Sequence, residues 1–354
     1  MRPATSSNFQ TWGIRLSDRM RAALIDTDVG AASELALHGD GQTRDLAREY
    51  AFMMRGLGFT LQVLLRLLTE TTSWAGRANR VTVQAAAVAD ADLSCLLTRL
   101  LDGLRRGEAD EAPPTVPSLL ADTCIRELQA SQERFTLDQA RRADEIVQSL
   151  THGRAQSALD LLDAKDHAYL ALHDTMIRFM ADSFAWVVGH FGNRALLDFH
   201  LAAAEGQRAG FEKWEQMQAA EFAATTAFLL KQHMGRVQVQ EDERRFTIRQ
   251  SPCGSGGRLR LDGAYEGPQL LPFVEGPDPL TFGEARMPVY CTHCAIWNGA
   301  ATLRWFGRAQ WVFENPASED GGCTLHIYKR REDIPSDYAR LVGLPAAGGP
   351  HEAR

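Results

Sequence analysis

The chain has 354 residues, enough for two domains or for one large domain with a substantial core. Its formal net charge is −7, which argues against a general nucleic-acid binder, because such proteins gain affinity by neutralising phosphates. No apolar stretch of the secretory type opens the sequence, and the most apolar segment, residues 51–68, is interrupted by Arg55 and Arg66. We therefore expect a cytoplasmic protein with no membrane partner, in which this segment is a buried helix.

The first two thirds of the chain predict helices. Leucines between residues 51 and 68 recur near the spacing of one helix face, and apolar residues at 159–191 trace a longer helix that Gly192 ends. Charge and three prolines at 106–117 indicate a linker or an exposed loop. The sequence thus predicts a helical region at 1–110 and a helical bundle region at 118–235.

The hydrophobic period changes from helical to alternating at Arg236. Alternation predicts strands at 237–240 and 245–250, on either side of a hairpin turn. Further strand candidates are 259–261, 289–290, 303–306, 310–313 and 324–328. The predicted fold class is α+β: a mainly helical N-terminal two-thirds, followed at 236–340 by a small antiparallel β domain with a cysteine-rich metal site.

Four of the six cysteines fall in the β region, namely Cys253, Cys291, Cys294 and Cys323. Without a signal peptide, this cysteine content indicates a reducing compartment, where clustered thiols are metal ligands more often than disulfides. Cys291 and Cys294 have the spacing of a metal knuckle, and the glycines after Cys253 permit a loop to wrap an ion. Zinc prefers four thiolate or imidazole ligands. We therefore predict a zinc site built from these four cysteines, with His293 or His326 as a substitute for one sulfur.

These motifs are also compatible with other sites. Cys291-Thr-His293 and Cys323-Thr-Leu-His326 supply the two halves of a Rieske iron–sulfur centre, but with a longer spacing than that family uses. Ala295 stands where a c-type haem motif needs histidine, which disfavours haem. Packing of the cysteines as free or redox-active thiols is the alternative to a metal.

The helical region offers candidates for proton transfer. His173 lies on the apolar stripe of its helix, where Asp166, seven residues earlier, or the adjacent Asp174 could orient it. His200 and His233 also lie on apolar helix faces, and histidines from consecutive helices can build a site in a bundle core. We predict a catalytic set of His173, Asp174, Asp166 and Arg258, in which Arg258 binds a substrate carboxylate.

The motifs of the last third carry a resemblance. Ser251-Pro-Cys-Gly-Ser-Gly-Gly-Arg258 with Tyr290-Cys-Thr-His-Cys294 resembles a group of uncharacterised bacterial proteins that pair such a loop with such a knuckle. The helical region leading into a small β part is also similar to the amidinohydrolase-like family that includes 2-amino-thiazoline-4-carboxylate hydrolase. That second resemblance implies hydrolase chemistry.

Two hypotheses of function follow. The first is a metal-dependent hydrolase or lyase that acts on a small polar molecule, with a zinc ion that polarises substrate or activates water. The second is a non-catalytic ligand- or partner-binding protein, in which a closed zinc site stabilises a small β domain. A homo-oligomer is compatible with either hypothesis.

Overall fold

A computed structural model describes residues 9–77, 83–105, 113–267, 270–314, 316–318 and 321–343, and at 72–77 and 83 it describes the backbone only. Most of the predicted loop at 106–117 lies outside the described residues.

Long helices build the N-terminal part of the described chain. They are α1 Leu16–Ile25, α2 Val29–His38, α3 Ala51–Arg77, α4 Val83–Arg105, α5 Pro117–Thr151, α6 Ala155–Glu215 and α7 Ala219–Gln232. Gly192 interrupts α6 with a positive φ of 80°, so the predicted stop exists, although a second helical segment follows it directly. Glycine adopts this backbone conformation without the steric cost that a side chain would add.

The segment Leu46–Thr71, which is most of α3 and the turn before it, has a length and composition that would suit a membrane span. Half of its most apolar window is buried inside the fold, and Leu61, Leu64 and Leu65 are fully buried where α3 packs against α5 and α6. The helix therefore serves as a core helix, as its two arginines predicted.

The chain changes to strands after Arg236, as predicted. An antiparallel sheet of order β1-β2-β6-β5 is formed by β1 Val237–Glu241, β2 Arg245–Gln250, β5 Val312–Glu314 and β6 Cys323–Tyr328. A separate antiparallel pair is formed by β3 Phe273–Glu275 and β4 Arg286–Pro288. The α+β class is confirmed.

Short helical segments occupy some positions where strands were expected. They are α8 Gly256–Leu261, α9 Thr292–Cys294, a π-helical turn at Ala295–Ala300, α10 Ala301–Phe306 and α11 Tyr338–Val342. The predicted strands at 259–261 and 303–306 are therefore wrong, and residues 289–290 lie in a 3₁₀ turn. Alternation over two to four residues does not distinguish a strand from one helical turn, so tertiary packing decided these segments.

The sheet lies on the helical part through one apolar face. Val237, Ile248 and Leu325 on that face pack with residues of α7 and with Trp12, from the turn before α1. The segments between β2 and β6 join the larger core that also contains α3 to α6. The loop that leaves β2 lies against the C-terminal end of α7.

Candidate metal centre

The loop at 251–258 is the first element of the site. The amide of Cys253 donates a 2.9 Å hydrogen bond to the carbonyl of Gly321, and the amide of Arg258 donates one of 3.0 Å to the carbonyl of Cys253. The Arg260 guanidinium donates across 2.9 Å to the carbonyl of Ser318, in the turn before β6. These bonds fix Cys253 beside the start of β6, which carries Cys323.

Glycine makes this close approach possible. A Cβ on Gly257 would lie 1.8 Å from the carbonyl oxygen of Gly321, and one on Gly256 would lie 3.0 Å from Sγ of Cys291. Since a Cβ essentially never approaches backbone oxygen so closely, any side chain at Gly257 would push the loop away from the turn before β6. The glycine-rich run thus positions three chain segments around one point.

The four predicted metal ligands line one small cavity of about 40 Å³. Cys253 comes from the loop after β2, Cys291 and Cys294 from the α9 turn, and Cys323 from the start of β6. All four are free thiols. The structure therefore brings together the four cysteines that the spacing predicted, from segments up to 70 residues apart.

The two candidate substitute ligands differ in position. His293 lines the cavity, whereas His326 points into the sheet, where Nδ1 lies 3.1 Å from Oγ1 of Thr247 and Nε2 lies 2.8 Å from a carboxylate oxygen of Glu314. Both nitrogens of His326 are thus engaged away from the cysteines. The Cys-x-x-His half of a Rieske centre therefore presents Cys323 to the cavity but not His326.

Cys294 and Cys323 make local hydrogen bonds. Nδ1 of His293 donates to the carbonyl of Tyr290, so its Nε2 is the acceptor that lies 3.4 Å from Sγ of Cys294. The Gln250 amide donates across 3.1 Å to Sγ of Cys323. Across the described ranges, no three His, Cys, Asp or Glu side chains stand in the geometry that holds a metal ion.

The four thiols differ in acidity. A hydrogen bond from Cys323 lowers the pKa of Cys253 well below its usual value, aided by the amide of Gly257 and by Ser255, although burial opposes this effect. The same bond, together with burial, raises the pKa of Cys323, and burial raises the pKa of Cys291 to about 12. Cys253 is therefore the most acidic of the four thiols, because the pKa values of the other three are raised.

A second cluster centres on His173, in the first half of α6. Nδ1 of His173 lies 2.8 Å from Oδ1 of Asp174, and Nε2 lies 2.8 Å from Nδ1 of His233. The other oxygen of Asp174 accepts a 2.5 Å bond from Arg258. Three of the four predicted catalytic residues thus meet, but Arg258 holds Asp174 rather than an open carboxylate site.

The fourth predicted residue, Asp166, lies in a different network. Its carboxylate accepts hydrogen bonds of 2.6 Å from the Tyr50 hydroxyl and 2.8 Å from Arg21. These partners belong to the N-terminal helical part, not to the cluster around His173. Asp166 therefore does not orient His173, although both lie on one face of α6.

His233 is the residue of this cluster that the predicted catalytic set missed. It follows α7, and the chain then pairs with the cysteine loop, because the amide of Arg236 donates to the carbonyl of Pro252 across 3.2 Å. The signal available in the sequence was its place on an apolar helix face just before a glycine and a strand. His200, predicted beside it, instead bonds the Thr292 hydroxyl across 2.9 Å.

No protein-family model, curated protein or solved structure matches this chain. The resemblances seen in the sequence motifs accordingly stay predictions.

Proposed function

We propose that this protein is a cytoplasmic zinc-dependent enzyme, a hydrolase or lyase that acts on a small polar molecule. The observation that carries the proposal is the convergence of Cys253, Cys291, Cys294 and Cys323 on one small cavity. Zinc in proteins is commonly bound by four cysteine thiolates in a tetrahedral arrangement. A cavity of about 40 Å³ suits an ion or a few water molecules rather than an organic cofactor.

Binding would require modest changes in the cysteine cluster. The thiols now bond Gln250, His293, Ser255 and one another, so their side chains would rotate towards a common centre as they lose protons. Metal binding in proteins generally releases thiol protons in this way. Cys253, already the most acidic thiol, would be the first to bind.

The enzymatic part of the proposal rests on the cluster beside the metal site. His173, Asp174 and Arg258 form a connected acid–base and ion-pair chain, and Arg258 belongs to the same loop as Cys253. A structural zinc site would not need a hydrogen-bonded histidine pair next to it. With three cysteines on the ion, the open fourth position would accept water or substrate, and the zinc would act as a Lewis acid.

Metal content of purified protein tests the proposal directly. We expect about one zinc per chain in the wild type, a colourless solution, and a loss of most zinc in Cys291→Ser. Cys95→Ser is the matched control, because Cys95 is exposed and does not line the cavity. A metal-free wild type, or equal zinc in both variants, would overturn the assignment, and a brown iron-containing protein would indicate a cluster instead.

A closed structural zinc is the second candidate, favoured by the number of cysteines at the cavity. Four thiolates complete a tetrahedral shell and leave no position for substrate. Cobalt-substituted protein separates the two functions. Azide should change the visible cobalt spectrum if one position is open, and should leave it unchanged if four sulfurs are bound.

A further inference from the structure

The hydrogen bonds of His173 and His233 define which ring nitrogens donate and which accept. A carboxylate only accepts hydrogen bonds, so the 2.8 Å contact between Asp174 and His173 places a proton on Nδ1 of His173. Nε2 of the neutral ring is then an acceptor, and it accepts the 2.8 Å hydrogen bond that Nδ1–H of His233 donates. Nε2 of His233 is left as an unprotonated nitrogen at the end of the hydrogen-bond series Asp174–His173–His233.

The two rings differ in their access to solvent. His173 is 0% exposed, so it cannot touch a substrate, whereas His233 is partly exposed. In the part of the chain that the structure describes, Nε2 of His233 has no hydrogen-bond partner. The unpaired Nε2 of His233 thus belongs to the ring that is accessible to solvent.

The surroundings of His233 include the cysteine loop. A Cβ on Gly254 would lie 2.0 Å from the carbonyl oxygen of His233, so the loop that carries Cys253 packs directly on the backbone of His233. His293, which lines the cysteine cavity, is near enough to disfavour a charge on His233. Burial is the largest cause that lowers the pKa of His233 well below its usual value, which keeps the ring neutral at pH 7.

We infer that His233 is the proton-accepting residue of the site, acting through Nε2, and that His173 and Asp174 are positioning residues that fix its tautomer. The substrate class is a small polar molecule with an acidic N–H or O–H group. Its proton moves to Nε2 of His233, and its electron pair stays on the substrate nitrogen or oxygen. The imidazolium that forms keeps its Nδ1–H bond to His173, which Asp174 holds on the other side.

As a catalytic assignment, this inference rests on the proposed function, but the arrangement of protons can be tested without metal or substrate. Nitrogen-15 NMR of histidine-labelled wild type should show His233 with its proton on Nδ1. Diethyl pyrocarbonate should modify His233 and leave His173 unmodified, as located by peptide mass mapping. A proton on Nε2 of His233, or modification of His173 in place of His233, would overturn the inference.

Asp174→Asn provides the sharper test. Arg258 donates to one oxygen of Asp174, so it will hold the amide oxygen of asparagine and turn the NH₂ group towards His173. His173 must then accept at Nδ1 and donate from Nε2, which forces His233 to accept at Nδ1 and to carry its proton on Nε2. We expect the tautomer of His233 to invert and its modification rate to fall about tenfold.

Asp163→Asn is the matched control, because Asp163 is on the same helix, is exposed, and its carboxylate bonds Arg21 rather than a histidine. It should leave the tautomer and the modification rate of His233 unchanged. An unchanged His233 tautomer in Asp174→Asn, with the helical circular dichroism intact, would refute the inference that Asp174 and His173 fix that tautomer. Failure of the metal proposal would instead appear as missing zinc while the His233 tautomer stays as stated.

Discussion

The hydroxyl of Tyr50 donates a 2.6 Å hydrogen bond to Asp166, which joins the residue before α3 to α6 by a buried contact. Burial alone would raise the pKa of Asp166. The charges of Lys165, Arg15 and Arg21 and the Tyr50 bond outweigh burial and lower this pKa below its ordinary value. The carboxylate therefore stabilises the fold rather than serving the site.

Asp166→Asn should destabilise the protein by about 3–5 kcal/mol, because it removes a buried charge that several cations face. Urea unfolding measures this change. Asp163→Asn, at an exposed position three residues earlier, should cost less than about 1 kcal/mol. Equal destabilisation by the two substitutions would contradict the role given to Asp166.

A fully buried ion pair joins Lys165 to Glu49, with Nζ and Oε2 2.9 Å apart. Lys165→Met should cost about 3–5 kcal/mol of unfolding free energy, since it leaves the Glu49 carboxylate buried without its cation. Adding Glu49→Gln should recover part of that loss, so the two substitutions should be strongly non-additive in a double-mutant cycle. Simple additivity would show that the pair makes no net contribution.

The buried His200 should make stability depend on pH. Burial is the first cause that lowers its folded-state pKa well below 6.5, so below pH 6.5 the unfolded chain takes up a proton that the folded protein does not. Stability should therefore fall as pH falls below 6.5, by up to about 1.4 kcal/mol per pH unit from this ring. The free energy of unfolding should change less between pH 7.5 and pH 5.5 in His200→Gln than in the wild type. The control His152→Gln, at an exposed position, should keep the wild-type difference.

The joint between the cysteine loop and α7 can be tested at Gly254. Ala at this position would place its Cβ 2.0 Å from the His233 carbonyl oxygen, so the two segments must separate. We expect about 2 kcal/mol of destabilisation and a lower zinc content. Gly210→Ala, in an open position of α6, should be neutral or slightly stabilising with zinc unchanged. Full zinc and wild-type stability in Gly254→Ala would show that the close packing is dispensable.

Residue type and spacing were enough to predict some features and not others. The change of period at Arg236 gave the position of the sheet, because β1 and β2 alternate over enough residues to define a face. The cysteine grouping followed from the ligand chemistry of thiols. The contact of His233 with His173 did not follow, because it depends on where the end of α7 packs against α6, which no local pattern encodes.

The packing of Trp12 and α7 beneath the sheet has a practical consequence for anyone who wishes to isolate the cysteine-bearing portion. A fragment that starts at Arg236 would leave the apolar face around Ile248 and Leu325 open to solvent, and it would tend to aggregate. Deletion of the first fifteen residues would remove the Trp12 part of the same cover. An N-terminal truncation would thus weaken the packing of the sheet that carries Cys323, more than two hundred positions further along the polypeptide.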